Sequence, residues 1–318
     1  MFNFDEKLTF NAKSNDILTV GELLVDMIAT EYGSHVEADT FRKYFGGSPS
    51  NIAMNVKNLG INPLVASAVG NDGFGLFLMN HLKSSNIDTS CVQQVDNSTS
   101  MVVVSKSKES PVPLFYREAD YQLAYTGKLE EALMNTKIVH FSCWPISKKP
   151  SRHTIEKVIE TAMNNDLLIS FDPNYHPMIW EKGEDGVSYI KSLIKYVDII
   201  KPSEDDAERL FGKDTQEKQR AKFLELGAKL VIMTLGEDGA IVSNGKETIR
   251  FNTLATNVVD TTGAGDAFWS GFFAAIIKGD TIREALQSGF AVSAYKLNYT
   301  GAVVDLPRLG EIKKIYGI

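Results

Sequence analysis

The stretch DTTGAGDAF (260–268) sets an aspartate, Asp266, directly after the small residues Thr262, Gly263, Ala264 and Gly265 and directly before the apolar run AFWSGFFAAII. Small residues ahead of an apolar helix make a tight turn and then a helix start, where several backbone N–H groups have no partner and attract anions. Asp266 then has two readings. It is an acid favoured in a first helical turn by the helix dipole, or it is a base beside a phosphate held by the turn, because Gly263 and Gly265 let a ligand approach the backbone. Taken locally, the residues leave both open.

Other polar turns pose the same choice. GELLVD (21–26) carries Glu22 and Asp26, acids that accept hydrogen bonds from sugar hydroxyls or face solvent. GGSPSN (46–51) pairs a double glycine with Asn51, whose amide is both donor and acceptor and suits a polyol or a local cap. In GNDGFG (70–75), Asp72 reads as a helix cap. Arg117 in LFYRE (114–118) ends an apolar strand and can meet a hydroxyl, a carboxylate or water. DPNYHP (172–177) and KPSEDDAERLF (201–211) each follow an apolar, strand-like run. The acids Glu204, Asp205 and Asp206 suit either Mg²⁺ held through water or an acid-rich helix start. TLGEDGA (234–240) is a glycine-punctuated turn that lies against phosphates or closes a hairpin.

The elements that must position these residues are short β-branched runs alternating with helical patterns. Strands are expected at DILTVG (16–21), LVASAVG (64–70), KIVHFS (137–142), LLISFD (167–172), VDIIKP (197–202) and KLVIMT (229–234). Between them, SPSNIAMNVKNLG (48–60) reads as a helix with Ser48 as N-cap, Pro49 at the first position and Gly60 past the end. Residues 74–86, 151–165 and 217–228 repeat apolar residues on a 3.6 period. The alternation predicts an α/β fold with a mostly parallel sheet covered by helices on both faces. In such sheets ligands bind at the carboxyl ends of the strands, where most of these turns fall. Residues 22–47 and about 97–125 instead alternate apolar and polar and predict antiparallel strands of a small lid. No linker divides the chain, so 1–318 reads as one domain with a β lid.

Composition narrows the function. Net charge is −7 with scattered basic residues, which gives no footprint for nucleic acid or an anionic membrane. Cys91 and Cys143 lack metal-ligand spacing and suit a reduced compartment as buried thiols. The N-terminal sixteen residues have no secretory pattern and read as a frayed or strand-like extension, so a cytoplasmic protein is expected. A P-loop, a dinucleotide-binding glycine fingerprint and protein-kinase motifs are all missing.

In this order and at these intervals, GELLVD, GGSPSN, GNDGFG, DPN, KPSEDDAE, TLGEDGA and DTTGAGDAF resemble the ribokinase-like (PfkB) carbohydrate kinases over about residues 16–308. The likeness is strongest to fructokinases. The 5-dehydro-2-deoxygluconate and 2-keto-3-deoxygluconate kinases are similar in GGSPSN, FYRE and DPNYHPMIW. The resemblance implies a three-layer sandwich and transfer of the ATP γ-phosphate, with Mg²⁺, to a primary hydroxyl of a sugar. Fructose, giving fructose 6-phosphate, is the first expected acceptor, and the two sugar acids are the alternatives. It further implies Asp266 as general base and the amides of Gly263, Ala264 and Gly265 as an anion hole. Asp26, Gly47, Asn51, Arg117 and Asn174 would bind the sugar, Thr234, Gly236, Gly239 and Asn298 would line the nucleotide, and Glu204 and Asp206 would hold Mg²⁺ through water. A sugar acid would need Arg117, with Arg42 or Lys43, to pair with its carboxylate. Two departures stand out: Ser203-Glu204-Asp205-Asp206 replaces the family's Asn-x-x-Glu, and His176 stands where several keto-sugar-acid kinases have arginine. Apolar lid residues Phe41, Tyr44, Val102, Val104 and Leu114 imply a homodimer through the lid. A non-catalytic sugar-binding regulator on the same fold is the reading from another class, and an intact GAGD argues against it.

Overall fold

The computed structural model describes residues 2–33, 37–106 and 113–318; 34–36 and 107–112, parts of the two expected lid segments, lie outside the described residues. The strands are β1 (Asn15–Val20), β2 (Leu24–Tyr32), β3 (Phe41–Gly46), β4 (Pro63–Gly70), β5 (Val92–Val95), β6 (Met101–Lys106), β7 (Leu114–Tyr116), β8 (Thr136–Ser142), β9 (Leu168–Asp172), β10 (Ile199–Ile200), β11 (Leu230–Thr234), β12 (Ala240–Ser243) and β13 (Thr248–Phe251). Among the described residues, nine of them form one sheet in the order β13-β12-β11-β10-β9-β8-β1-β4-β5. It is parallel from β5 to β11 and antiparallel only where β12 and β13 extend one edge.

The residues at the centre explain why the sheet is buried on both faces. In β1, Leu18 and Val20 join one apolar cluster and Ile17 the other, and in β8 Val139 and Phe141 oppose Ile138 in the same way. Strands flanked by two helical layers need apolar residues at nearly every position rather than at alternate ones. One layer includes the helix Ser151–Asn164. The other is the apolar helix following DTTG, which packs on the next helix along the chain, with Trp269, Phe272 and Phe273 fully enclosed. The N-terminal extension is not frayed: Phe4 is fully buried and Lys7 bridges to Thr281.

The remaining four strands, β3-β2-β6-β7, make the separate lid sheet. Its pairing departs from expectation in one respect. β2 runs antiparallel to β3 and β6 to β7, but β2 and β6 are parallel. The reason is connectivity: after β2 and β3 the chain passes through the main sheet before returning as β6, and such a crossover can deliver a parallel strand. Strand β5, with the sequence VQQV, and the edge strand β13 are short and half polar and carried no clear signal. Helix α1 (Ser48–Asn58) begins one residue earlier than expected, with Gly47 as N-cap at φ 106° and no side-chain cap. Ser48 is therefore inside the helix and its hydroxyl is free for another task.

Candidate active site

Past α2 (Gly73–Ser84) and α3 (Glu204–Phe211), the apolar helix α4 (Ala264–Ile277) starts at the carboxyl edge of the sheet, capped by Gly263 in the left-handed region at φ 74°. A side chain at Gly263 would run into Ala302. Asp266 lies in its first turn, and α1 meets it from the opposite side. Ser48 Oγ donates to Asp266 Oδ1 at 2.6 Å and Asn51 Nδ2 to Oδ2 at 2.9 Å. Burial pushes this carboxyl up to about 6; the bonds from Ser48 and Asn51 pull it down, Asp172 adds repulsion and Lys201 opposes it. An acid poised there is ionised at neutral pH and still basic enough to accept a proton.

Two further acids crowd the same corner. Burial, with the Asp266 charge adding to it, raises Asp26 to about 7. A side chain at Gly46 would displace the Asp26 carboxylate. Gly47 is constrained, its missing side chain leaving room for the Glu22 carbonyl. Glu22, raised by burial to about 8, accepts the Ser48 amide at 3.0 Å through Oε1, while its Oε2 is buried without a partner. Asn51, only 5% exposed, likewise has Oδ1 buried without a partner. A buried acceptor left open next to a bound carboxylate is what a substrate hydroxyl would satisfy.

Behind Asp266 lies a group that sequence reasoning did not single out. Lys201, at the end of the β10 run, is 5% exposed and pairs with Asp172 Oδ2 at 2.8 Å. Trp269 Nε1 donates to the same oxygen at 2.8 Å. The Lys201 ammonium reaches to within 3.3 Å of where a side chain on Gly265 would begin, so it sits under the turn. The lysine was visible within KPSEDD and Asp172 within DPN, but their pairing with a tryptophan 97 residues away was not.

On the other side of the turn opens a cavity of about 650 Å³. Thr234, Gly236, Gly239, Ala264, Gly265 and Lys201 line it, with Phe268, Phe290 and Leu297 as apolar walls. Asn298 lies next to it, capping the carbonyls of Ala294 and Tyr295 and facing Asn257. The amide of Ala264 is already engaged by Thr261 O at 3.1 Å. The amides of Gly263, Gly265 and Asp266 have no acceptor among the described residues and are the donors left open at this turn, whereas that of Ala264 is engaged. The open three belong to the unpaired first turn of a helix.

Three expected roles meet a different geometry. Arg117 is buried, and its five N–H groups all have protein acceptors: Nε and Nη2 on Asp120 Oδ2, Nη1 on Ser147 Oγ and Ile179 O, and Nη2 also on Trp144 O. No donor is left to reach a sugar, so Arg117 supports the lid root instead. Asp206 is 3% exposed and completes the capping box of α3, whose N-cap is Ser203, taking Ser203 N and Oγ on one oxygen and Tyr175 N on the other. Its lone pairs serve the backbone and not a cation; Glu204 is exposed and accepts from Gln216. Among the described residues no cluster of three His, Cys, Asp or Glu could hold a metal. The side chain of Asn174 is exposed, and its carbonyl takes the Cys143 thiol at 3.1 Å, so the acid that DPN delivers to the site is Asp172. Both cysteines are buried free thiols. No helix among the described residues is long and apolar enough to cross a membrane.

The fold and the sequence are similar to those of known proteins. The family model of the pfkB family carbohydrate kinases matches residues 14–309. The chain is 64% identical over 318 residues, 100% of its length and 99% of the relative, to an ATP-dependent 6-phosphofructokinase of Thermoanaerobacterium thermosaccharolyticum. It is 31% identical, over 98% of this chain and 94% of the relative, to a 5-dehydro-2-deoxygluconokinase of Clostridium perfringens. Among solved structures, Halothermothrix orenii fructokinase superposes with a TM-score of 0.78 at 39% identity, covering 86% of this chain and 98% of that one. A ribokinase-like protein of E. coli solved in complex with ATP and Mg²⁺ gives 0.83 at 25% identity, with coverage of 95% and 99%.

Proposed function

Because the chain belongs to the pfkB family of carbohydrate kinases, we propose that it transfers the γ-phosphate of ATP to a primary hydroxyl of a ketohexose, and that the acceptor is fructose 6-phosphate. The observation that carries the phosphotransfer reading is the clasp of Asp266 by Ser48 and Asn51 directly beside a turn of free amides. ATP would occupy the cavity lined by Thr234, Gly236 and Gly239, with its terminal phosphate at Gly263, Gly265 and Lys201. The cavity volume and its apolar walls suit a nucleotide, and the free amides with a buried ammonium suit its phosphates. Mg²⁺ would be held by the phosphates and water, since the acids near α3 do not converge, and it would neutralise phosphate charge.

The protein's own part is positioning. Asp26 and Asn51 bind ring hydroxyls, and Asp266 takes the proton of the attacking hydroxyl as the O–P bond forms. The amides and Lys201 stabilise charge on the transferring group, the largest contribution a preorganised site makes. The lid sheet, which carries Asp26 on β2, would exclude water, the competing nucleophile. Its exposed apolar residues, Tyr116 at 52% and Tyr32 at 66% among them, support a homodimer through the lid, although Val102 is already buried within the protomer.

The choice of acceptor rests on the full-length 64% identity to a 6-phosphofructokinase. It also gains from Arg42, exposed on β3 and paired with Ile28, which places it on the same lid face as Asp26 and two positions farther out. A cation there suits an acceptor with an anionic far end. The second reading is fructose itself, favoured by the fructokinase likeness. A fructofuranose presents a hydroxymethyl group at either end, so the same pocket could phosphorylate O6 of fructose or O1 of its 6-phosphate. A coupled ADP-release assay with fructose 6-phosphate, fructose and 5-dehydro-2-deoxygluconate tests the choice. The highest kcat/KM is expected on fructose 6-phosphate. Turnover of fructose or the sugar acid without turnover of fructose 6-phosphate would overturn the acceptor, and no ADP from any of them would overturn the kinase reading.

A further inference from the structure

The acid just past β1 takes no part in the steps above. Glu22 follows Gly21 out of that strand and is 4% exposed. Its Oε1 accepts the Ser48 amide at 3.0 Å, and its Oε2 is buried with no partner among the described residues. Ser48 opens α1, whose N-cap, Gly47, has no side chain to satisfy the first turn. A carboxyl from another element therefore does what a capping side chain does elsewhere. The two segments are pressed together, because a side chain on Gly47 would run into the Glu22 carbonyl and one on Gly21 into Pro49. This first turn carries Gly47 and Asn51, placed above on the sugar side, and Ser48, which with Asn51 holds Asp266.

The surroundings decide which form of Glu22 fits. The charged and titratable groups that face it are Arg117 and Asp120 at the lid root and Cys143 just past β8. Arg117 has all five N–H groups on other acceptors and gives Glu22 no hydrogen bond. Asp120 repels a negative charge, and burial keeps Cys143 a neutral thiol. A buried carboxylate without a cation partner costs far more than a hydroxyl without an acceptor, and it takes up a proton instead. The amides of Ser48 and of Glu22 itself favour the charged form, but burial outweighs them.

We propose that Glu22 is a positioning residue that works as the neutral acid: it anchors the first turn of α1, and with it Gly47, Ser48 and Asn51, where they meet the sugar, and its ionisation loosens that turn. The inference rests on the phosphotransfer reading above. An ionised Glu22 has to find water or a cation, which it cannot do while Oε2 stays enclosed. The proposal makes a demand that a merely structural acid would not: the uncharged isostere, glutamine, serves in its place and goes on serving at a pH where glutamate fails.

The test is steady-state turnover by the full-length protein with ATP and the sugar it turns over fastest, from pH 7 to 9.5, following both KM values in the wild type, Glu22→Ala and Glu22→Gln. Burial sets Glu22 at about 8, and the contribution of a group needed in its protonated form is lost as pH rises through its pKa. The wild-type sugar KM is therefore expected to rise about tenfold between pH 7 and pH 9, while the ATP KM stays level because the nucleotide half is untouched. Asp26, at about 7, ionises below this rise, and so does a phosphate monoester, with a second pKa of about 6. Glu22→Ala is expected to raise the sugar KM about 100-fold at pH 7, the size of effect that follows from slight misplacement of a site. Glu22→Gln restores most of that loss and shows no alkaline rise. A wild-type sugar KM that does not rise, a glutamine variant as poor as the alanine one, or a glutamine variant with the wild-type alkaline rise would overturn the proposal. If melting curves show that the variants do not fold, infrared titration of the wild type decides: a protonated-carboxyl band lost with the midpoint of the KM rise supports it, and the absence of such a band in that range overturns it. A wild type with no turnover on any acceptor would instead refute the kinase reading, which keeps the two failures distinct.

Discussion

Ser48→Ala should move the acid limb of the pH–rate profile without changing the fold. Ser48 makes no cap bond in α1, so the substitution removes one interaction, the 2.6 Å hydrogen bond to Asp266 Oδ1. That bond favours the ionised carboxylate and lowers its pKa against the burial that raises it to about 6. A hydrogen bond to a charged group contributes about 1.5–3 kcal/mol, and about 1.4 kcal/mol equals one pKa unit. Water can enter the vacated space, so the low end applies and the Asp266 pKa rises by about one unit. The sign is then fixed: a base must be deprotonated to act, so activity is lost as pH falls through its pKa, and the variant loses it earlier. At pH 6 the ionised fraction drops from about one half to about one tenth, a loss of roughly fivefold in kcat/KM, while at pH 8 the loss is under about 1.2-fold. Asp26 titrates on the same limb at about 7 and is held up in part by the Asp266 charge; a less ionised Asp266 lets the Asp26 pKa fall, so a midpoint that moves upward reports Asp266. Profiles of kcat/KM from pH 5 to 9 are the assay, because this quantity reports the free enzyme. An unshifted midpoint, or one shifted to lower pH, would refute the assignment of Asp266 as the titrating base.

Lys201→Met should lower kcat by about 100-fold, the usual consequence of removing one stabilising donor from a transition state, while the sugar KM stays near the wild-type value; an unchanged kcat in steady-state assays would remove Lys201 from the phosphate side. Arg117→Ala should destabilise the protein by about 3 kcal/mol or more, because it strands Asp120 as an unpaired buried charge. Chemical denaturation reads that loss, and a raised sugar KM with stability intact would restore Arg117 to a substrate contact.

Most of the sheet and its ligand edge could be read from the chain because both rest on local signals. Runs such as LVASAVG and KLVIMT have no competing helical period, and Gly60 and Asp72 mark helix ends by backbone rules that hold wherever they occur. Misreadings arose where a local rule and a distant partner compete for one side chain. Ser48 follows the N-cap pattern, yet its hydroxyl crosses to Asp266, 218 residues away. Asp206 follows the pattern of a metal acid, yet its bonds with Ser203 and the Tyr175 amide make it the capping-box partner of Ser203. Arg117 was a cation at the right strand end, and only the tertiary structure shows five acceptors already around it. The Asp172, Lys201 and Trp269 group was illegible for the same reason, since three elements far apart in sequence supply it.

In the proposed reaction the Asp266 carboxylate accepts the proton of a sugar hydroxyl while the adjacent turn holds the phosphate. Asp266→Asn tests it most directly, because the amide keeps the size of the side chain and removes the base. With fructose 6-phosphate and ATP, ADP release is expected to fall about 1,000-fold, with calorimetric affinities for sugar and nucleotide within about twofold of wild type. Turnover at the wild-type rate in this variant would contradict it.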